Sequence, residues 1–95
     1  MCLKFGTSRY NIFGQLYEIC NYNNGIKEGE CKTYYKDGQL HTICTYKNNK
    51  VFGEYKEYYN NQKLKIICNY KNNKRKGICK EYYKNGLLRM TNNYG

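Results

Sequence analysis

Apolar and polar positions alternate along most of this chain, and short polar clusters cut the alternation at regular intervals. A run such as Leu40-His41-Thr42-Ile43-Cys44-Thr45-Tyr46 has the two-residue period of an extended strand, with one set of side chains on each side of the backbone. The pattern also repeats as a whole. Sliding the chain by 24 residues superimposes Leu16, Leu40, Leu64 and Leu88; Cys20, Cys44 and Cys68; Tyr22, Tyr46, Tyr70 and Tyr94; and Gly29, Gly53 and Gly77, without a gap. The pairs Tyr34-Tyr35, Tyr58-Tyr59 and Tyr82-Tyr83 keep the same spacing, as do Asp37-Gly38, Asn61-Gln62 and Asn85-Gly86. A fixed period of this length is the signature of a repeat architecture. The units run 14–37, 38–61 and 62–85, followed by a half repeat 86–95 and preceded by an atypical half unit 1–13, in which Gly6 to Tyr10 is one residue short.

Within each unit, Asp37-Gly38 and Asn85-Gly86 between β-rich runs predict hairpins closed by type I′ turns. Two loop residues at 37 and 38 set Tyr35 opposite Leu40, Thr33 opposite Thr42, Cys31 opposite Cys44 and Gly29 opposite Tyr46. The same register gives Tyr59 with Leu64, Tyr55 with Cys68, Gly53 with Tyr70, Tyr83 with Leu88 and Gly77 with Tyr94. All these pairs share one face. Leu40, Leu64 and Leu88 with Tyr35, Tyr59 and Tyr83 are expected to form its buried spine, and Tyr46 and Tyr70 to lie across the bare glycines opposite them. On the other face the register brings Lys32 near Ile43, Lys56 near Ile67, Tyr34 near His41, Tyr58 near Lys65 and Tyr82 near Arg89. Lys47-Asn48-Asn49-Lys50 and Lys71-Asn72-Asn73-Lys74 read as longer polar loops along one basic, Asn-rich edge. The expected fold is all-β: an elongated single-layer antiparallel β-meander of about 3.5 tandem hairpin repeats and about eight strands.

Composition narrows the function. Ninety-five residues make one domain, without Pro, Trp or Ala and with thirteen Tyr, fourteen Asn and fourteen Lys, which excludes a large multi-domain enzyme. The formal charge is +10, so a partner met through long-range electrostatics is acidic. An A/T-rich coding sequence yields the same Asn, Lys, Tyr and Ile enrichment. Much of the apolar content is tyrosine, so the core is thin. Met1 to Gly6 carries one Lys and no apolar run of signal-peptide length, so the expected location is the cytoplasm, where the six Cys act as reduced, small hydrophobes.

With one His, one Asp and one Ser, the side chains for acid–base or nucleophilic work are too few, and a single-layer ribbon offers little concavity. No enzyme activity, cofactor or small-molecule substrate is expected. Cys20, Cys44 and Cys68 fall two strands apart, roughly 9 to 10 Å, too far for one zinc with Zn–S bonds of about 2.3 Å. Cys31 and Cys44 alone are expected close enough, about 4.5 Å between Cα atoms, to permit a disulfide. The column Lys32, Lys56 and Lys80 interleaved with Tyr34, Tyr58 and Tyr82 is the candidate interaction surface, because cations alternating with aromatics suit anionic headgroups or single-stranded nucleic acid.

The stretch Gly77-Ile78-Cys79-Lys80-Glu81-Tyr82-Tyr83-Lys84-Asn85-Gly86-Leu87-Leu88 resembles MORN-type repeats. It is most similar to the variant of about 24 residues found in bacterial proteins and large DNA viruses. The resemblance covers residues 14–95; Gln62 stands where the pattern has a turn glycine, and Cys31, Tyr55 and Cys79 where many members carry other aromatics. It implies a twisted antiparallel ribbon with one hairpin per repeat, used as an assembly scaffold and often dimeric. Some members are linked to anionic phospholipids, and some bacterial relatives are labelled antitoxins. The functional expectation is a scaffold acting by protein contact, first with itself as a homodimer through the apolar face or through open edges near Gly6–Tyr10 and Leu87–Tyr94. The alternatives are weak binding of anionic lipid or nucleic acid, and an antitoxin-like protein partner. For a viral protein the compartment is the host cytoplasm.

Overall fold

The computed structural model describes residues 4–10 and 14–95. Residues 1–3 and 11–13, part of the expected N-terminal half unit, lie outside the described residues. The strands are β1 Lys4–Tyr10, β2 Leu16–Asn23, β3 Ile26–Tyr34, β4 Leu40–Lys47, β5 Lys50–Tyr58, β6 Leu64–Lys71, β7 Lys74–Tyr82 and β8 Leu88–Asn93. They pair antiparallel in sequence order into one open sheet of 43 × 36 × 16 Å, a single layer thick. Among the described residues there is no helix, and so none long and apolar enough to cross a membrane.

The two kinds of turn are the reverse of the expectation. The Asn-Asn connections are the tight ones: Lys47 pairs with Lys50 and Lys71 with Lys74. The loop residues between them have positive φ throughout, 54° and 68° at Asn48 and Asn49 and 52° and 66° at Asn72 and Asn73, which defines type I′. Asparagine enters this region more readily than other non-glycine residues, and here its side chain adds a second tie. Asn49 Oδ1 accepts the Lys27 N–H at 2.8 Å while the Asn49 N–H donates to the Lys27 carbonyl at 3.0 Å. Asn73 treats Val51 the same way, at 2.7 and 3.2 Å. Each of these loops is therefore clipped to the preceding strand pair.

The Asp-Gly connection is longer. The Tyr35 N–H donates to the Gln39 carbonyl at 2.8 Å and the Gly38 N–H to the Tyr35 carbonyl at 2.9 Å. Only Gly38, at φ 89°, is left-handed, so this is a three-residue loop, a type I turn ending in a bulge. Asp37 Oδ1 holds it by accepting the Gln39 N–H at 3.0 Å. The turns at Tyr59–Lys63 and Tyr83–Leu87 repeat it, with Gln62 at φ 70° and Gly86 at φ 93° in the glycine position.

This turn and a second bulge, at His41, reassign residues between faces. Thr33 faces Thr42 as expected, but Tyr34 faces Leu40, which leaves His41 without a partner of its own. The same shift isolates Lys65 and Arg89. A slip of one residue moves a side chain to the opposite face. Leu40, Leu64 and Leu88 therefore do not oppose Tyr35, Tyr59 and Tyr83; they stand with Tyr34, Tyr58 and Tyr82. His41, Lys65 and Arg89 make the converse move. The His41 ring lies 4.3 Å from that of Tyr35, Lys65 Nζ sits 5.6 Å from the Tyr59 ring centre, and Arg89 reaches Glu81 at 2.8 Å.

Among the described residues the buried ones are cysteines: Cys20, Cys31, Cys44, Cys68 and Cys79. Tyr22, Tyr46, Val51 and Tyr55 pack over the first three. With no second layer, cover must come from neighbours on the same face, and a short thiol between long tyrosines is covered where a leucine would protrude. The expected Leu–Tyr spine is thus a Cys–Tyr one. Leu40 and Leu64 are half-buried on the other face, while Leu88 and Tyr83, at 54% and 50%, are exposed. Tyr35 and Tyr59 instead tie repeats together, donating their hydroxyls to the carbonyls of Tyr58 and Tyr82 at 2.6 and 2.7 Å.

Two further expectations change in detail. Gly29 and Gly53 do face Tyr46 and Tyr70, yet a Cβ at Gly53 would meet nothing within 4 Å. Its φ of 84°, at a bulge where β5 carries extra residues opposite β4, is what calls for glycine. Cys31 faces Cys44 as expected, but its sulfur meets that of Cys20 on the other side. The Tyr35 N–H points to β4, so by alternation the backbone groups of Cys31 do too, making Cys31 and Cys44 a wide, hydrogen-bonded pair of about 5.5 Å. Cys20 and Cys31 are the narrow pair, with Cα atoms 4.1 Å apart, and Cys68 and Cys79 match them at 4.3 Å; the sulfurs of each pair are in contact. Cys44 is left a free thiol opposite Tyr55.

Candidate interaction face

The sheet has two unlike faces. The Cys face closes over its own side chains and carries a polar cluster at one end. There Glu57 Oε2 takes Lys65 Nζ at 3.2 Å and His41 Nε2 at 3.6 Å, and Glu57 Oε1 accepts the Tyr55 hydroxyl at 3.1 Å. Burial first, then the Glu57 charge, holds the Tyr55 phenol well above its ordinary range, and the hydrogen bond to Glu57 raises the Lys65 ammonium. His41, expected as a solvated residue beside Tyr34, is held here because the bulge turns it over. Burial also raises the Cys44 thiol, which keeps it protonated and a poor nucleophile.

The opposite face is the open one. From β3 to β7 the large apolar side chains that remain exposed are Ile26, Phe52 and Ile78, all on this side. Three bands cross it. Nearest the three-residue turns is an apolar band of Leu40, Leu64 and Leu88 with Tyr34, Tyr58 and Tyr82. It contains a groove of about 360 Å³ lined by Gln39, Leu40, Tyr58 and Gln62, and a second of about 280 Å³ that shares Leu40 and Tyr58 and reaches Ile43 and Lys56. In the first, the covered Gln39 Oε1 meets no donor.

The middle band is neutralised. Lys32 pairs with Glu30 at 3.3 Å and Lys56 with Glu54 at 3.2 Å, each two residues along its own strand and so on the same face. At Lys80 the corresponding position is Ile78. The third band, against the Asn-Asn turns, is basic: Lys47, Lys50, Lys71, Lys74 and Lys76, with Phe52 among them and Lys47 Nζ 5.3 Å from the centre of its ring. The structure thus brings all six candidate residues, Lys32, Tyr34, Lys56, Tyr58, Lys80 and Tyr82, onto one face. It joins the three tyrosines to the leucines, pairs two of the lysines with acids, and puts the free charge at the edge.

The hairpin closed by the three-residue turn is the repeating unit, and a family model described as the MORN repeat variant falls on it three times, over residues 27–48, 53–72 and 75–94, about two thirds of the chain. The chain belongs to the MORN repeat family. No curated protein and no solved structure matches it. MORN repeats are non-enzymatic modules that generally engage proteins or membrane lipids. In this MORN sheet the recurring work of the repeat is local: Tyr35 and Tyr59 bridge units, and Asn49 and Asn73 clip turns. The residues of the basic band were legible as a repeated Lys-Asn-Asn-Lys, but Phe52 carried no signal beyond lying two residues past Lys50. The leucines were recognised and assigned to the wrong side.

Proposed function

We propose that the chain is a non-enzymatic scaffold that works by protein contact through its open Leu–Tyr band, and that its first partner is a second copy of itself. The observation that carries this reading is the asymmetry of cover: the Cys face buries its cysteines, while the opposite face buries no side chain completely, exposes Ile26, Phe52, Ile78 and Leu88, and leaves Leu40 and Leu64 half-buried beside a groove. Charge sets the orientation. In a two-fold face-to-face pair the Leu–Tyr bands meet while the two basic bands point to opposite ends, so that like charges stay apart.

A lipid or nucleic-acid role for the Lys32, Lys56 and Lys80 column loses support from the Glu30 and Glu54 pairing, which cancels the charge that role requires. Light scattering at micromolar concentration tests the proposal. The expected mass is that of two chains, and Leu64→Glu should halve it while circular dichroism remains that of a sheet. A wild-type mass of one chain, unchanged on concentration, would rule out the dimer and leave the band to a different protein.

A further inference from the structure

The net charge of this protein is not spread evenly. All seven carboxylates are engaged. Glu18, Glu30, Glu54, Glu57 and Glu81 hold Arg9, Lys32, Lys56, Lys65 and Arg89. Asp37 and Glu28 accept backbone N–H groups from Gln39 and Asn48. Of the cations left over, Lys47, Lys50, Lys71, Lys74, Arg75 and Lys76 stand on the edge of the Asn-Asn turns with Glu28 as the one acid nearby, while Lys36, Lys63 and Lys84 line the opposite edge.

That edge has shape as well as charge. A groove of about 310 Å³ lies between Lys47, Lys50, Phe52 and Lys71, and a second of about 300 Å³ between Lys71, Lys74, Lys76 and Tyr94. They share Lys71 and Asn72 and so form one path along the edge. An aromatic ring opens into the first: Phe52 is 41% exposed. That ring already carries a cation, Lys47, while the Tyr94 ring turns with Arg75 and Tyr70 to the Cys face. A row of cations interrupted by an available ring face is what a flexible polyanion bearing planar groups requires, with phosphates on the lysines and a base on the ring. A lipid surface would use the charge and leave the ring unexplained.

We propose that the Asn–Lys edge is a groove for single-stranded nucleic acid, its phosphates held by Lys47, Lys50, Lys71 and Lys74 and a base stacked on Phe52. The site lies on the far side of the open face from the Leu–Tyr band, so it stands whether or not the chain dimerises.

Fluorescence anisotropy with a labelled oligothymidylate of about a dozen nucleotides, within the usual site size for such surfaces, tests it at several salt concentrations. Three controls accompany it: the same length of duplex DNA, polyglutamate, and phosphatidylcholine vesicles containing phosphatidylserine. The triple variant Lys47→Gln, Lys71→Gln, Lys74→Gln should weaken binding about tenfold or more and flatten the salt slope by about two. The triple variant Lys36→Gln, Lys63→Gln, Lys84→Gln removes equal charge from the opposite edge and should weaken it less than about threefold. Phe52→Leu should cost about fivefold or more, the lower end for loss of one base–aromatic stack, without changing the slope. Equal losses from the two triple variants, no effect of Phe52→Leu, or tighter binding to duplex, polyglutamate or vesicles than to the oligonucleotide would each overturn the proposal.

Discussion

The Cys face and the Leu face are built from the same strands and nearly the same number of apolar residues, yet one is closed and the other open. On the first, short thiols alternate with tyrosines, so each ring covers a sulfur, and Cys68 and Cys20 are all but inaccessible. On the second, leucines, isoleucines and tyrosines of similar length stand side by side and none covers its neighbour completely. In a sheet without a second layer, burial depends on contrast in side-chain length on one face more than on total hydrophobicity. The face with contrast holds the fold together, and the face without it is left to a partner.

The comparison breaks most severely at Tyr55, which packs against the thiols, meets Tyr70 edge-on at 5.6 Å and bonds Glu57. Tyr55→Ala should destabilise the fold by about 2–4 kcal/mol, at or below the range for truncating a buried aromatic because the ring is only half-buried. Urea unfolding measures it, and a loss under about 0.5 kcal/mol, the scale of surface substitutions, would deny this face its structural role. Acidity gives a second reading of the same ring. Burial raises the Tyr55, Tyr46 and Tyr35 phenols above their ordinary value, so the folded state keeps protons that the unfolded chain releases near pH 10. Their contribution is complete below about pH 10 and is lost as pH rises through the folded values. Tyr55→Phe should therefore flatten the alkaline fall in the urea midpoint; an unchanged fall would assign it to other groups.

The open face should respond less. Leu64 is half-buried beside Tyr58 and Tyr82 rather than enclosed, so Leu64→Ala should cost about 1–2 kcal/mol, below the range of about 2–5 kcal/mol for a core leucine. Leu88→Ala, at an exposed site, should cost under about 0.5 kcal/mol. If Leu64→Ala equals or exceeds Tyr55→Ala in the same urea series, the ranking of the faces is wrong.

Much of this architecture was readable because a gapless period multiplies weak signals: one Asp-Gly is a hint, and its recurrence with Tyr-Tyr and Leu at fixed offsets defines strand order and register through Thr33, Cys31 and Gly29. What was not readable came down to one residue in a loop. Asp-Gly serves both a two-residue type I′ turn and a type I turn ending in left-handed glycine, and the dipeptide alone does not distinguish them. Only the second sets Leu40 opposite Tyr34, so that a bulge at His41 restores the register at Thr42 and sends Leu40 one way and His41 the other. Asn48-Asn49, which looked like slack, is the tight turn because the Asn49 side chain pairs with Lys27, a contact 22 residues away in sequence. The candidate surface followed suit: the aromatic and basic columns were visible, but the acids that neutralise Lys32 and Lys56 matter only once the shared face is known.

The smallest effect tests the turn that decides between the faces. Gln62 occupies the left-handed position filled by Gly38 and Gly86, at φ 70°. A residue with a Cβ pays about 1–2 kcal/mol there, while glycine costs about 0.5–1 kcal/mol in lost backbone freedom. Gln62→Gly should therefore stabilise the protein by about 0.5–1 kcal/mol, and Gly86→Gln should destabilise it by a similar amount, both read from urea midpoints. Gln62 also walls the Leu40–Tyr58 groove, so Gln62→Gly should widen the groove while strengthening the hairpin beside it. Stability and self-association should then move in opposite directions. If Gln62→Gly leaves stability unchanged or lowers it, the second hairpin does not close through a left-handed residue, and the placement of Leu64 on the open face falls with it.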